Sequence, residues 1–164
     1  MPLFRRRRPV PDVVRALRLE PGDRRLSWAL TAAGEPVVAT VAGLLRPGRP
    51  LLLWRDVEKA TWERPVLAVR EVAEVSETGP LTTLALDDEG DLPQTVRERV
   101  TSSVAWATTA RLTPSGQVRI VGRRVPDAED LSWQLVFDAD VDLSDPLVRA
   151  QAEHALRSAR KAIG

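Results

Sequence analysis

The chain has 164 residues, a length that favours one domain with an extension. Its 24 lysines and arginines nearly balance its 23 aspartates and glutamates, whereas a dedicated nucleic-acid-binding domain would be strongly basic. The absence of cysteine excludes disulfides, thiolate catalysis and cysteine-based metal sites, and it fits a cytoplasmic location. No apolar run reaches the roughly 18 residues of a membrane span, and the basic start of the chain lacks the apolar segment of a signal peptide.

The chain begins with a run of arginines that Pro9 and Pro11 close. Four basic side chains without an acyl chain or a large apolar anchor would give weak, salt-sensitive contact with an anionic membrane or with nucleic acid. The alternative is a solvated tail with no ligand. The candidate anion-contacting arm therefore consists of Arg5, Arg6, Arg7 and Arg8.

Residues 26–86 alternate apolar runs with turn residues, a pattern typical of an antiparallel sheet. The longest run predicts two neighbouring strands, 57–62 and 66–72, joined at Pro65, which has no N–H to donate within a strand. Ahead of the sheet, a helix is predicted at 13–19 with Asp12 as its N-cap. Strand 81–86 is predicted with Leu84 and Leu86 facing the core, and strand 26–31 with Leu26, Trp28 and Leu30 facing it. Two short strands are predicted within 36–45, and with the apolar block 51–54 the predicted count is about seven.

After an acidic turn at 87–91, the apolar period changes to that of a helix. This helix is predicted at 92–104, with Asp91 as its N-cap and Pro93 in its first turn. Three further strands are predicted at 105–112, 118–125 and 131–137, the last with Trp133, Leu135 and Phe137 facing inward. A final helix is predicted from Pro146 to about Ile163, and its expected buried stripe is Val148, Ala152, Ala155, Ala159 and Ile163.

Residues 24–104 resemble a bacterial pleckstrin-homology-like (PH-like) domain. The features that carry the resemblance are the strand count, the stretch WRDVEKATW after a turn, and the helix DLPQTVRERVTSSV after the last strand. The family implies a bent, partly open, seven-stranded barrel plugged by one helix, and the whole chain also resembles a group of proteins from high-GC Gram-positive bacteria. The expected fold is α+β, with a basic arm and short helix at 1–20, a PH-like barrel at 21–104, and a β-β-β-α extension at 105–164 packed on it. A fold resemblance alone implies no function.

The nearest approach to a metal-binding motif is DADVDLSD, which holds Asp138, Asp140, Asp142 and Asp145. A calcium loop of the EF-hand type needs glycine at its sixth position and glutamate at its twelfth, where this chain has Leu143 and Arg149. We therefore expect these acids at the end of a strand and the start of a helix, whose dipole favours them. The one histidine, His154, is predicted at the surface of the last helix. No metal or cofactor is expected.

Charge is distributed unevenly along the chain. Residues 1–25 hold eight arginines and three acids, a net charge of +5, so the remainder carries −4. Two acidic stretches, 71–91 and 127–145, contain no basic residue. This asymmetry predicts either self-association of the arm with an acidic face or ordinary solvated loops.

The aromatic volume comes mainly from five tryptophans, since the chain has two phenylalanines and no tyrosine. Most of the tryptophans fall at apolar positions of predicted strands, so the core is their expected place. A tryptophan at a strand edge would instead mark a partner surface. The five are Trp28, Trp54, Trp62, Trp106 and Trp133.

These patterns predict a non-enzymatic protein-interaction or scaffold module, whose partner is another protein or a second copy of the chain. No nucleophile, base and orienting residue can be assembled, and no spacing places two carboxylates on one rigid element. The alternative is a weak electrostatic binder that contacts an anionic membrane surface or nucleic acid through the arginine arm. Recognition of a specific nucleic acid is not expected.

Overall fold

The computed structural model describes residues 7–73, 78–126 and 128–164. It is an α+β structure with a seven-stranded antiparallel sheet, a three-stranded antiparallel sheet and a C-terminal helix. The elements are α1 (Asp12–Arg15), β1 (Arg25–Thr31), β2 (Pro36–Thr40), β3 (Gly43–Leu45), β4 (Leu52–Leu53), a 3₁₀ turn (Trp54–Asp56), β5 (Val57–Glu63), β6 (Val66–Glu71), β7 (Leu81–Asp88), α2 (Leu92–Ser103), β8 (Val104–Arg111), β9 (Gln117–Arg124), β10 (Leu131–Phe137) and α3 (Pro146–Ile163). The predicted order of seven strands, a helix, three strands and a helix is confirmed.

The seven-stranded sheet is open, and its strands lie in the order β4-β3-β2-β1-β7-β6-β5. All neighbouring strands are antiparallel, and β4 and β5 form its two edges. Helix α2 packs on β1, β2, β5 and the 3₁₀ turn. Because α2 reaches both halves of the sheet, one apolar core forms between the helix and the strands.

That core explains the period of α2. Leu92 and Val96 are buried on the helix, as the predicted stripe requires, and Asp91 occupies the N-cap position. Leu84 and Leu86 face the same core, which confirms the prediction for β7. Its buried members are Ala29, Val37, Ala39, Leu44, Leu52, Trp54, Val57, Leu67, Val69, Leu84, Leu86, Leu92 and Val96.

The second core lies between the three-stranded sheet and α3. Val118 and Ile120 of β9 are buried beneath Val148 and Ala152 of the helix. Trp106 and Trp133 form an edge-to-face pair with ring centroids 5.7 Å apart, and Leu135 and Phe137 pack beside them as predicted. This core therefore combines small helix residues with large side chains from the sheet.

One residue of the predicted α3 stripe is misplaced. Ile163 is 45% exposed, because it lies in the last helical turn beside the terminal Gly164. Leu156 packs on the core instead. The other stripe residues, from Val148 to Ala159, are buried or partly buried against the sheet.

The predicted inward face of β1 is wrong. Ala29 is the fully buried residue of the main core, whereas Trp28 lies on the opposite face and is partly buried there. The physical reason is a second apolar layer outside the sheet. Helix α1 packs on β2, and Val14 of the helix and Val38 of the strand are both fully buried. Trp28 of β1 is paired with Val38 and so lies on this outer face. Both faces of β1 are thus covered, and alternation alone does not identify the inner one.

Helix α1 is shorter than the predicted helix at 13–19 and begins at Asp12 itself. Pro11 holds the N-cap position, and the Asp12 carboxylate accepts a hydrogen bond from Arg15 rather than capping the helix. The helix ends early because the Val14 carbonyl accepts a tight-turn bond from the Leu17 N–H and a second bond from Arg25.

Candidate functional site: the β5–α2 groove

The arginine arm is only partly within the described residues. Arg5 and Arg6 lie outside them, and Arg7 is exposed. Arg8 is engaged by the folded chain: its Nη2 donates to the Trp28 carbonyl at 2.6 Å, and its Nη1 lies 2.6 Å from Oδ2 of Asp88. The anion-contacting role of the arm stays a prediction, with Arg8 occupied by intramolecular partners.

The same contacts perturb Asp88. The hydrogen bond and the charge of Arg8 hold the pKa of this carboxyl below its ordinary value, and a backbone hydrogen bond from Gly90 acts in the same direction. An acid of the first acidic stretch thus meets an arginine of the basic N-terminal segment within one chain. At this point the basic N-terminal segment and the first acidic stretch are paired within the chain.

Other acids of the first stretch also have internal partners. Glu71 accepts from the buried Arg46 at 3.0 Å and lies 3.7 Å from Arg49. Glu89 pairs with Arg64 at the tip of the β5–β6 hairpin. Glu74 and Glu77, and Asp127 of the second stretch, lie outside the described residues.

The DADVDLSD acids serve the local backbone. Asp145 caps α3 by accepting from the Leu147 N–H at 2.8 Å, as expected for acids at a helix start. Asp142 accepts from the N–H and hydroxyl of Ser144, and both bonds lower its pKa. Within the part of the chain that the structure describes, no three His, Asp or Glu residues are grouped as metal ligands. His154 is exposed on α3, as predicted.

A groove of about 1100 Å³ lies between β5 and α2, and we name it the β5–α2 groove. Trp62 and Ala60 of β5 form its apolar floor together with Leu67 and Pro93. Trp62 is partly buried and packs against the main core from this side. The sequence left open whether Trp62 is a core residue or a partner surface, and the structure places it at the boundary of the two.

Beside this groove, β5 is an edge strand, and part of its backbone has no neighbouring strand. The Leu86 N–H donates to the Pro65 carbonyl, so by the alternation of an antiparallel ladder Val66 directs its own backbone groups toward β5. Glu63 opposite Val66, and Thr61 two residues earlier, therefore carry the bonds to β6. The N–H and C=O of Ala60 and Trp62 face away from β6. Among the described residues they have no backbone partner on that side.

The charges around the groove are mainly acidic. Glu63, Glu89 and Glu98 line it, against the single cation Arg97. Glu89 is already paired with Arg64, and Glu98 accepts a hydrogen bond from Gln94. The arrangement offers an apolar floor, two sets of unpaired backbone groups and a mildly acidic rim to a bound molecule.

The start of β5 is closed by a residue that the sequence analysis did not single out. Arg123 of β9 is buried and donates to the Glu58 carbonyl at 3.3 Å, to the Val100 carbonyl at 3.1 Å and to Ser103 Oγ at 2.6 Å. Its Nε donates to Gln134, whose amide reaches the Arg55 carbonyl. These bonds of Arg123 join the two sheets beside the start of β5, whereas the groove is lined by residues 60–63 of the same strand.

The sequence held one signal for the Arg123 bonds: Gln134 is a polar residue inside the mainly apolar strand β10. Burial lowers the pKa of Arg123, and nearby Arg119 adds to the effect while Glu58 opposes it. The guanidinium has no carboxylate partner at bonding distance among the described residues and is held by carbonyls, a hydroxyl and an amide.

None of the described helices has the length and apolar content needed to cross a membrane. Comparisons of the chain with protein-family models, with curated proteins and with solved structures found no match.

Proposed function

We propose that the chain is a non-enzymatic protein-interaction module that binds an extended segment of a partner protein as an added strand along β5. The observation that carries this proposal is the edge strand: Ala60 and Trp62 line the groove, and their N–H and C=O face away from β6 without a backbone partner among the described residues. Main-chain hydrogen bonds to a sheet edge supply affinity, and pockets for alternate side chains supply specificity. A cytoplasmic location, suggested by the cysteine-free sequence, is part of the proposal.

A PH-like assignment of residues 24–104 belongs to the same proposal. The seven antiparallel strands, followed by a helix that packs across both halves of the sheet, support it. In this account the three-stranded sheet and α3 hold the start of β5 through Arg123, so that only the end of the strand accepts a ligand.

The chemistry of the partner follows from the lining. Alternate side chains of an added strand would lie beside Ala60 and Trp62, so we expect apolar residues at positions i and i+2 of the bound segment. The unpaired rim carboxylate of Glu63 favours a lysine or arginine beside them. Binding is favoured over catalysis because Glu89 and Glu98, the other carboxylates of the groove, are engaged by Arg64 and Gln94.

A selection from a library of random 12-residue peptides displayed on phage tests the proposal. We expect enriched peptides with two apolar residues spaced by one, next to a basic residue, and without proline between them. A synthetic peptide of the enriched sequence should bind the wild-type chain with a micromolar Kd. Trp62→Ala should weaken this binding at least tenfold, since the floor of the groove loses its largest apolar side chain.

Two further variants distinguish strand addition from nonspecific hydrophobic binding. Ala60→Pro removes an outward N–H without removing a donor to β6, and should weaken the peptide while the sheet persists. Leu147→Ala removes an exposed apolar side chain far along the sequence, on α3, and should leave the affinity unchanged. Failure to enrich any sequence, or equal affinity for wild type and Trp62→Ala, would contradict the proposal.

A further inference from the structure

A second, smaller concavity of about 260 Å³ lies where α2 ends against the joint between the two sheets. Three arginines line it: Arg55 from the 3₁₀ turn, Arg99 from α2 and Arg124 from β9. Among the described residues that line it none is acidic, and Trp54 contributes an apolar wall. The pocket is therefore lined by positive charge from three separate elements.

The arginines retain free donors. The Arg99 guanidinium has no hydrogen-bond or ion-pair partner among the described residues, although its side chain is on a partly buried residue. Arg124 uses Nη1 to bond the Ser102 and Val104 carbonyls, which leaves its Nη2 and Nε unengaged. Arg55 has one distant contact, 3.8 Å from its Nε to Asp56. Planar guanidinium groups with free N–H donors are the side chains that bind phosphate most effectively.

The surroundings add to the positive field. Arg123 lies behind the pocket at Ser103, and Arg119 is close enough to lower the pKa of Arg123. Among the described acids, Asp56 lies 3.8 Å from Arg55 Nε, and Glu58 acts on the buried Arg123 rather than on the pocket arginines. The C-terminal end of α2 carries the negative end of the helix dipole. Arg123 and Arg124 donate hydrogen bonds to carbonyls in this last turn, and their charges oppose the dipole there.

From this geometry we infer that the Arg55–Arg99–Arg124 pocket binds a phosphate monoester. Its volume suits one phosphate group with a small substituent. The source of that phosphate is a soluble phosphate ester or the head group of a phosphorylated lipid, which present the same dianion. The site is separate from the binding of an extended segment along β5, because the guanidinium cluster is outside the groove.

Isothermal titration calorimetry of the full chain with inorganic phosphate, at constant ionic strength set with chloride, tests the site. We expect saturable binding with one phosphate per chain, weakened at least fivefold by Arg99→Gln and by Arg55→Gln. Arg97→Gln is the matched control, since Arg97 is on the same helix but lines the β5–α2 groove, and it should bind phosphate as the wild type does. Equal weakening by Arg97→Gln and Arg99→Gln would reveal general electrostatics and overturn the inference.

Vesicles distinguish the two sources. Phosphatidylcholine vesicles with 5 mol% (about one lipid in twenty) phosphatidylinositol 4-phosphate are compared with vesicles that carry the same charge as phosphatidylserine. Selective binding to the vesicles with phosphatidylinositol 4-phosphate, lost in Arg99→Gln, assigns the phosphate to a lipid head group. Binding of inorganic phosphate without binding to these vesicles assigns it to a soluble phosphate ester. Absence of binding to both phosphate and the phosphorylated lipid would overturn the inference. Circular dichroism melts of Arg99→Gln should match wild type, because this side chain has no partner to lose.

Discussion

The guanidinium carbon of Arg8 lies 3.6 Å from the centroid of the Trp28 ring. The same side chain bonds the carbonyls of Trp28 and Asp88, which lie on neighbouring strands β1 and β7. The two strands share only a short ladder, with Leu30 and Thr31 paired to Asp88 and Leu86. Arg8 therefore bridges two neighbouring strands that share only a short ladder.

Replacing Arg8 tests this role. Arg8→Gln removes the cation–π contact and the ion pair, and we expect the free energy of unfolding to fall by about 1–2 kcal/mol. Arg7→Gln is the control, because Arg7 is the exposed neighbour with the same charge, and should change stability by less than about 0.5 kcal/mol. Urea denaturation followed by tryptophan fluorescence measures both. Equal effects of the two variants would mean that Arg8 contributes only net charge.

Stability should depend on pH through Asp88. Its pKa is lowered in the folded state by Arg8, so the folded chain binds fewer protons than the unfolded chain in the acidic range. The contribution of Asp88 to stability is fully present above the ordinary pKa of an aspartate, about 3.9. It is lost as the pH falls through the pKa that Asp88 has in the folded chain. The stability difference between wild type and Arg8→Gln should therefore shrink below about pH 4. A difference that is constant from neutral to acidic pH would contradict the pairing.

Arg123 should matter more than any surface arginine. Arg123→Met removes bonds to Glu58, Val100, Ser103 and Gln134, and leaves buried acceptors unsatisfied, so we expect a loss of about 2–4 kcal/mol. Arg119→Met, four residues earlier on β9, removes a neighbouring positive charge and should be neutral or slightly stabilising. Chemical denaturation distinguishes the two. If Arg123→Met costs less than about 0.5 kcal/mol, the two sheets are joined mainly by other contacts.

Trp62 should show a moderate stability effect together with a binding effect. It is partly buried against the core rather than enclosed, so Trp62→Ala should cost about 1–3 kcal/mol, less than the 3–5 kcal/mol typical of a fully buried tryptophan. Trp54→Ala, at a residue that is 6% exposed, should cost more in the same denaturation experiment. The opposite ranking would place Trp62 in the core and remove it from the groove.

Element order and type could be predicted from this sequence because local signals agreed with the fold. Alternation identified β7 and β10, and the change of period after Asp91 identified α2 with its stripe of Leu92 and Val96. These signals act within a few residues. The face of β1 failed because α1 covers the outer side of β2, a contact between segments that periodicity does not record.

The candidate site was less accessible to sequence reasoning. The free edge of β5 follows from strand order, which places β5 outermost although it lies in the middle of the chain. The pocket of Arg55, Arg99 and Arg124 draws residues from three elements that span 70 positions, so no local motif marks it. The arginine run predicted an anion-contacting arm, whereas Arg8 bonds the Trp28 carbonyl and pairs with Asp88 within the fold.

Amide hydrogen exchange is the most direct test of strand addition at β5. The chain is labelled with and without a saturating peptide from the library selection, and protection is read at single residues. We predict increased protection at the amides of Ala60 and Trp62, which face the open edge, and little change at Thr61 and Glu63, which already bond β6. Unchanged exchange at Ala60 and Trp62, with protection elsewhere, would contradict the account.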